Sequence, residues 1–228
     1  MKEYTYPIEI DSLQLTPEVI LKEIGYEKVS PMTQVSEVVA VMLDEAKRLT
    51  LPSCTFRLFC GTIVGEAVQL KEGGVFCVGK ILAPLLVGSE RFVLFTATAG
   101  EGFHRWQRSL ADEGDILRCF IADVIGTCLV EAVGDMMERL VEQQIYPLRH
   151  TNRFSPGYCG WKLTEQRQLF ALLGGNPCAI HLSENCLMIP EKSISGIMGV
   201  GHDVNEKAYG CRYCSLETCY KRKKKKHE

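Results

Sequence analysis

No stretch of the 228-residue chain approaches the ~20 apolar residues needed to span a bilayer. The best candidate, from Val75 to Val87, is cut by Lys80 and Pro84. The opening MKEYTYPIEIDS has no apolar core of the kind a secretory signal carries. A soluble, cytoplasmic protein is therefore expected, with cysteines that are reduced thiols or ligands rather than disulfides. Positive charge is scarce outside the last eight residues. Residues 221–228 hold six Lys/Arg and one Glu, which leaves 20 basic against 27 acidic residues in the rest, a body of net −7 behind a total of −2. Nucleic-acid binding needs a basic face, and this body offers none. Internal repeats are absent. What is present, 46% apolar and 24% charged residues, suffices for a sizeable core and excludes a disordered chain, a disulfide-rich miniprotein and a coiled coil.

The first 50 residues read as two helices. Thr16-Pro17-Glu18 is a start signal, with Thr as N-cap, Pro first in the helix and Glu in the first turn, and Gly25 closes it. Ser30-Pro31 starts a second helix that Pro52 stops. From Cys54 to Ala99, β-rich runs alternate with glycines: Thr55–Cys60, Ile63–Leu70, Val75–Val78 and Arg91–Thr96. Lys71-Glu72-Gly73-Gly74 predicts a hairpin turn, and short connections predict antiparallel pairing. Residues Gly102 to Tyr146 are helical with a break near Gly114, so a long helix is expected from Asp115 to Gln144. In it Gly126 and Gly134 permit close packing, and Asp123 and Glu131, eight apart, project from nearly one side. Pro147 ends it. Thr164 is expected to cap a short helix through Leu173, followed by strands Cys186–Ile189 and Ser193–Val200. The fold class is α+β: a twisted antiparallel sheet packed with helices, as one domain over residues 1–201 and a cysteine-bearing, basic appendage over 202–228.

Two constellations suggest chemistry. The stretch Arg153-Phe154-Ser155-Pro156-Gly157-Tyr158-Cys159-Gly160-Trp161 contains a Pro-Gly pair that predicts a tight turn. Arg153 offers a fork for a carboxylate, and Tyr158 and Trp161 offer flat faces with polar handles. These features suit an amino-acid-like ligand, or a structural loop with an Arg ion pair and buried aromatics. In the second, Cys211-x-x-Cys214-x-x-x-x-Cys219, three thiolates at short spacing suit zinc, with a fourth ligand from His202, His227 or a partner, or three corners of an iron–sulfur cluster. Redox-active thiols and a turn without a role are the other readings. The remaining eight cysteines stand singly in apolar contexts and are expected to be buried free thiols. His104, His150 and His181 receive no ligand role.

The motif Arg153-x-x-Pro156-Gly157-Tyr158, followed by Leu163, Gln166 and Phe170-Ala171-Leu172-Leu173, resembles the activation domain of cobalamin-dependent methionine synthase. The resemblance continues in Leu182-Ser183-Glu184-Asn185-Cys186-Leu187-Met188-Ile189-Pro190 and Lys192-Ser193-Ile194-Ser195-Gly196. Upstream, Thr98-Ala99-Gly100 before a long helix and the Asp123-to-Glu131 spacing also fit. The resemblance implies a domain that binds S-adenosylmethionine (AdoMet). When cobalt is accidentally oxidised to Co(II), an electron donor, flavodoxin-like or other, reduces it and AdoMet methylates it to methylcobalamin. It implies that Arg153 contacts the AdoMet carboxylate, that Ser155 offers backbone hydrogen bonds, that Tyr158 lines the pocket and that Glu131 meets the ammonium. No protein residue is implied as catalytic, because Co(I) is the nucleophile and the sulfonium carries its own leaving group. One departure is plain: full-length members carry an aromatic pair after the Ser-x-Ser-Gly turn, where this chain has Ile197-Met198, so a tyrosine that helps bind AdoMet is missing there.

The expected role is thus a stand-alone activation subunit, part of a methyltransferase activity, docking on the cobalamin-binding module of a methionine synthase. The alternative is a non-catalytic corrinoid-protein interaction module whose cysteine tail binds a metal or cluster. Neither involves nucleic acid or membrane.

Overall fold

The computed structural model describes residues 3–26 and 33–206. In chain order the elements are β1 (Glu3–Pro7), α1 (Pro17–Ile24), α2 (Thr33–Leu49), β2 (Ser53–Val64), β3 (Ala67–Leu70), β4 (Val75–Phe76), the single-turn α3 (Gly79–Leu82), β5 (Arg91–Thr98), α4 (Glu101–Glu113), α5 (Ile116–Ile145), β6 (Arg149–His150), α6 (Gln166–Leu172), β7 (His181–Leu182), β8 (Met188–Ile189) and β9 (Ser193–Gly201). A seven-stranded sheet runs in the order β4-β3-β2-β5-β9-β6, with β1 also on β2, and each of its pairings is antiparallel. Strand β2 is long enough for β1 to pair with Ser53–Arg57 and β3 with Gly61–Val64. The α+β expectation therefore holds.

Several boundaries follow local chemistry. Pro17 opens α1 and Gly25, in the left-handed region, closes it. Gly114 closes α4, and the Asp115 carboxylate accepts the Arg118 amide at 3.0 Å to start α5. The Lys71–Gly74 turn joins β3 to β4, with Leu70 N donating to Gly74 O at 3.0 Å. Other expectations fail for identifiable reasons. Ile63–Leu70 is not one strand: a two-residue hairpin at Gly65-Glu66 sets Val64 opposite Ala67, so the run folds back on itself. Thr164 lies inside a 3-10 turn, Leu163–Glu165, and caps nothing with its side chain. The start signal Ser30-Pro31 lies outside the described residues.

The sheet is covered on both faces, which is why β5 is buried from Phe92 to Thr98. Val93, Phe95 and Ala97 join α1, α2, α4 and α5 in one core, with Ile121, Ile125, Leu129, Val133 and Met137 supplying the α5 side. Phe92 and Leu94 point the other way, into a second core with Phe59, Phe154, Trp161, Leu169 and Ile197. Each fully buried side chain of this size contributes roughly 1.5–3 kcal/mol relative to exposure. Among the described residues no helix is long and apolar enough to cross a membrane. The expectation of burial holds for two of the eight described cysteines: Cys54 and Cys186 are buried, while Cys60 and Cys77 are exposed and the other four are half-buried. Burial pushes the Cys54 thiol up to about 12.

Candidate ligand-binding cleft

Strand β9 organises the site. Beside it β6 sets Arg149 opposite Gly201 and His150 opposite Val200, and Thr151 N donates to Gly199 O at 2.9 Å. Phe154 then bridges Ile197, its N–H donating at 2.9 Å and its carbonyl accepting at 2.8 Å. The register has slipped by one: Asn152 and Arg153 together stand opposite Met198. Such a bulge re-aims a side chain, and here it sends Arg153 onto α5.

On α5 the guanidinium lies over Gly134, where a Cβ would overlap Nη1 and stand 3.0 Å from Cζ and 2.8 Å from Ile194 Cδ1. Three acids hold it: Asp135 at 2.8 Å and Glu131 at 3.6 Å from Nη2, and Glu138 at 3.2 Å from Nε. Nη1 is buried and has no hydrogen-bond partner among the described residues. Burial raises the Glu138 carboxyl, opposed by the positive charge of Arg153 and by His150, and reinforced by Asp135 and Glu206. Glu131, Asp135, Glu138 and Glu142 stand at intervals of 4, 3 and 4 along the helix, one acidic stripe on one face. That spacing was readable in the sequence, but without the bulge nothing pointed it at Arg153.

After Phe154 the chain makes two tight turns. Tyr158 N donates to Ser155 O at 3.3 Å across Pro156-Gly157, with Gly157 at φ +93°, the geometry a Pro-Gly pair favours. Trp161 N then donates to Tyr158 O at 3.0 Å. The two aromatics separate here. Tyr158 is 63% exposed, whereas Trp161 is buried, edge-on to Phe76 and donating from Nε1 to Glu165 at 2.8 Å. Trp161 is an anchor for the loop and offers no face to a ligand.

A cleft of about 410 Å³ opens between this turn, the first residues of β9 and the β7–β8 hairpin. Ser155, Tyr158, Leu163, Leu187, Ile189 and Ile194 are among its walls. Its floor is organised by Gln166, which accepts from Ser195 Oγ at 3.1 Å and donates to Cys186 O at 2.9 Å. Alternation along β9 aims the N–H and C=O of Ser195 to the same side as those of Ile197, toward the cleft edge. Ser193-Ile194-Ser195-Gly196 opens strand β9, as the expected strand Ser193–Val200 has it. Of the four residues expected to bind ligand, Ser155 and Tyr158 line the cleft. Arg153 and Glu131 are brought to each other on its flank, across Ile194. Ile197 and Met198 are fully buried, one in each core, so neither side chain reaches the cleft surface. Cys211, Cys214 and Cys219 lie outside the described residues.

Comparison with known proteins bears on the family and the fold. The family model described as vitamin B12 dependent methionine synthase, activation domain, matches residues 66–226. A solved structure described as the MetH reactivation domain bound to AdoHcy shares the fold, with a TM-score of 0.63 at 15% identity over 90% of this chain and 80% of that one.

Proposed function

Because the chain belongs to the activation-domain family of vitamin B12-dependent methionine synthases, we propose that it binds AdoMet in the cleft beside β9. Bound there, AdoMet serves the reductive remethylation of cob(II)alamin on the cobalamin-binding module of a methionine synthase. In this reading the chain acts as a separate activation subunit, and a separate donor of the flavodoxin-like class supplies the electron. The observation that carries the proposal is the Arg153 arm: a guanidinium seated over Gly134 at the cleft's flank, with one buried N–H group still without an acceptor among the described residues.

The residues present fit such a ligand. The cleft volume of about 410 Å³ falls in the ~300–1,000 Å³ range of small-molecule sites. Leu163, Leu187, Ile189 and Ile194 suit an adenine ring, and the exposed Tyr158 ring suits its edge. The Ser155 backbone and the β9 edge supply hydrogen bonds. Arg153 is assigned to the ligand carboxylate and Glu131 to its ammonium, the guanidinium turning from Gly134 toward the cleft as the ligand enters. AdoMet also carries a sulfonium, and the acidic stripe of α5 favours a ligand with that extra positive charge. The neighbouring fold is bound to AdoHcy, which lacks it. Reduced cobalamin supplies the nucleophile and the sulfonium its own leaving group, so the chain needs only to hold the donor and present its methyl group.

Titration calorimetry with AdoMet and AdoHcy, with and without a cobalamin-binding module, tests the reading. Binding of both, tighter for AdoMet, is expected, together with recovery of methionine synthase turnover after cobalt oxidation when the chain is added in trans. Absence of AdoMet binding under both conditions overturns it.

A further inference from the structure

We infer that Glu138, His150 and Glu206 form a binding site for a divalent cation of the zinc class, joining α5, β6 and the segment after β9. This site is separate from the cleft and does not rest on the AdoMet reading. One ring nitrogen of His150 and one oxygen from each of the two carboxylates all lie within 4.8 Å of one another.

The ring of His150 points to a cation. Its side chain is 7% exposed, and Nδ1 lies 2.8 Å from the Thr151 carbonyl. A carbonyl only accepts, so Nδ1 carries a proton and donates it there. In the neutral imidazole Nε2 is then a bare lone pair, and it stands 3.4 Å from Glu142 Oε1, another acceptor. Two acceptors face each other, the imidazole buried and the carboxylate exposed, which is unfavourable on the imidazole side unless a positive species lies between them. A proton on Nε2 would answer the Glu142 contact alone. The convergence of Glu138 and Glu206 on the same ring favours a metal ion. Arg153, which reaches Glu138 at 3.2 Å, is already shared with Glu131 and Asp135, and among the described residues no cation pairs with Glu206. A histidine whose second nitrogen donates to a backbone carbonyl is also the arrangement that orients a metal ligand.

One imidazole and two carboxylates suit zinc, whose ligand bonds of about 2.0–2.2 Å require donor atoms roughly 3.4 Å apart around a tetrahedron. Exposed Glu206 can swing inward to close that gap, and Glu142, 3.4 Å from the His150 ring but outside that group of three, must swing too if it is to supply a fourth ligand. The ion would fix the β6 end of the bulge that carries Arg153.

The cysteine tail offers competing thiolates, so the test uses the full chain with Cys211→Ser, Cys214→Ser and Cys219→Ser. Zinc titration by calorimetry is expected to give one bound equivalent. Adding Glu206→Gln, an exposed change that leaves the core alone, is expected to weaken binding tenfold or more. His150→Gln should do the same, with circular dichroism confirming that it folds. The inference is overturned if the serine variant binds no zinc, or if neither further substitution weakens the binding.

Discussion

Helix α5 holds two long basic side chains against its backbone, at glycines eight residues apart, and finishes the two places differently. At the first, a Cβ on Gly126 would stand 2.8 Å from Lys192 Cγ, and Lys192 donates to Asp123 at 2.7 Å and to Thr127 Oγ1 at 3.1 Å. At the second, Gly134 lies under Arg153, which meets Glu131, Asp135 and Glu138 while Nη1 has no acceptor among the described residues. Both use an acid three residues before the glycine. The first is a closed clamp, one cation matched to one carboxylate and a hydroxyl. The second has more acid than one cation can answer and a donor to spare, the condition of a place that accepts a further charged group. The shared plan is packing, and on the proposed reading the mismatch is what separates a binding site from a brace.

The largest effect is expected at Arg153. Glu138 is 18% exposed and Arg153 20%, so Arg153→Ala strands a mostly buried carboxylate beside Asp135 and should cost about 2–3 kcal/mol in urea unfolding. On the proposed reading it also weakens AdoMet tenfold or more. Arg153→Lys turns the second place into a copy of the first. It should recover part of the stability but not the ligand affinity, because a point charge cannot keep the acids and offer a forked donor at once. If Arg153→Lys binds AdoMet as the parent does, the distinction between clamp and site collapses.

The glycines come next. Gly126→Ala drives a Cβ to 2.6 Å from the ring of Phe103, which is fully buried and has nowhere to go. A loss of about 1–2 kcal/mol is expected, the overpacking cost outweighing a helix-propensity gain of ~1 kcal/mol. Gly134→Ala instead meets the far ends of two side chains, Arg153 and Ile194. It should cost less than about 1 kcal/mol while displacing the guanidinium and weakening AdoMet. Thermal melts paired with calorimetry separate the two. Equal stability losses with no change in affinity would mean that both glycines serve packing alone.

How much of this was legible in the sequence depended on the range of the contact. The break at Gly114, the start at Asp115, the Pro156-Gly157 turn and the spacing of Asp123 and Glu131 are set within a few residues and were read correctly. So were Gly126 and Gly134 as points of close packing, though not what packs there. Strands β1, β6 and β7 went unread: each is short, and pairing partners distant in sequence or facing across a hairpin decide them rather than an apolar period. The bulge at Asn152-Arg153 is invisible for the same reason, since it exists only relative to β9. His150 received no role because its partners Glu138, Glu142 and Glu206 come from α5 and from beyond β9. Trp161 and Tyr158, alike in composition terms, diverged because a pocket formed by Phe76 and Glu165 takes one of them.

The smallest effect is expected at Lys192, and it is the sharpest check on the comparison. Lys192→Met keeps the aliphatic stem over Gly126 and removes only the ammonium. Asp123 is 60% exposed, so it returns to water without being stranded, and Thr127 Oγ1 still donates to the Asp123 carbonyl at 2.9 Å. The expected loss is about 0.5 kcal/mol at low ionic strength, shrinking as salt screens the pair. AdoMet affinity should stay within about twofold of the parent. A tenfold loss at Lys192→Met, matching Arg153→Ala, would mean that a bound ligand reaches along α5 past both glycines, and that the closed clamp is closed only until the ligand arrives.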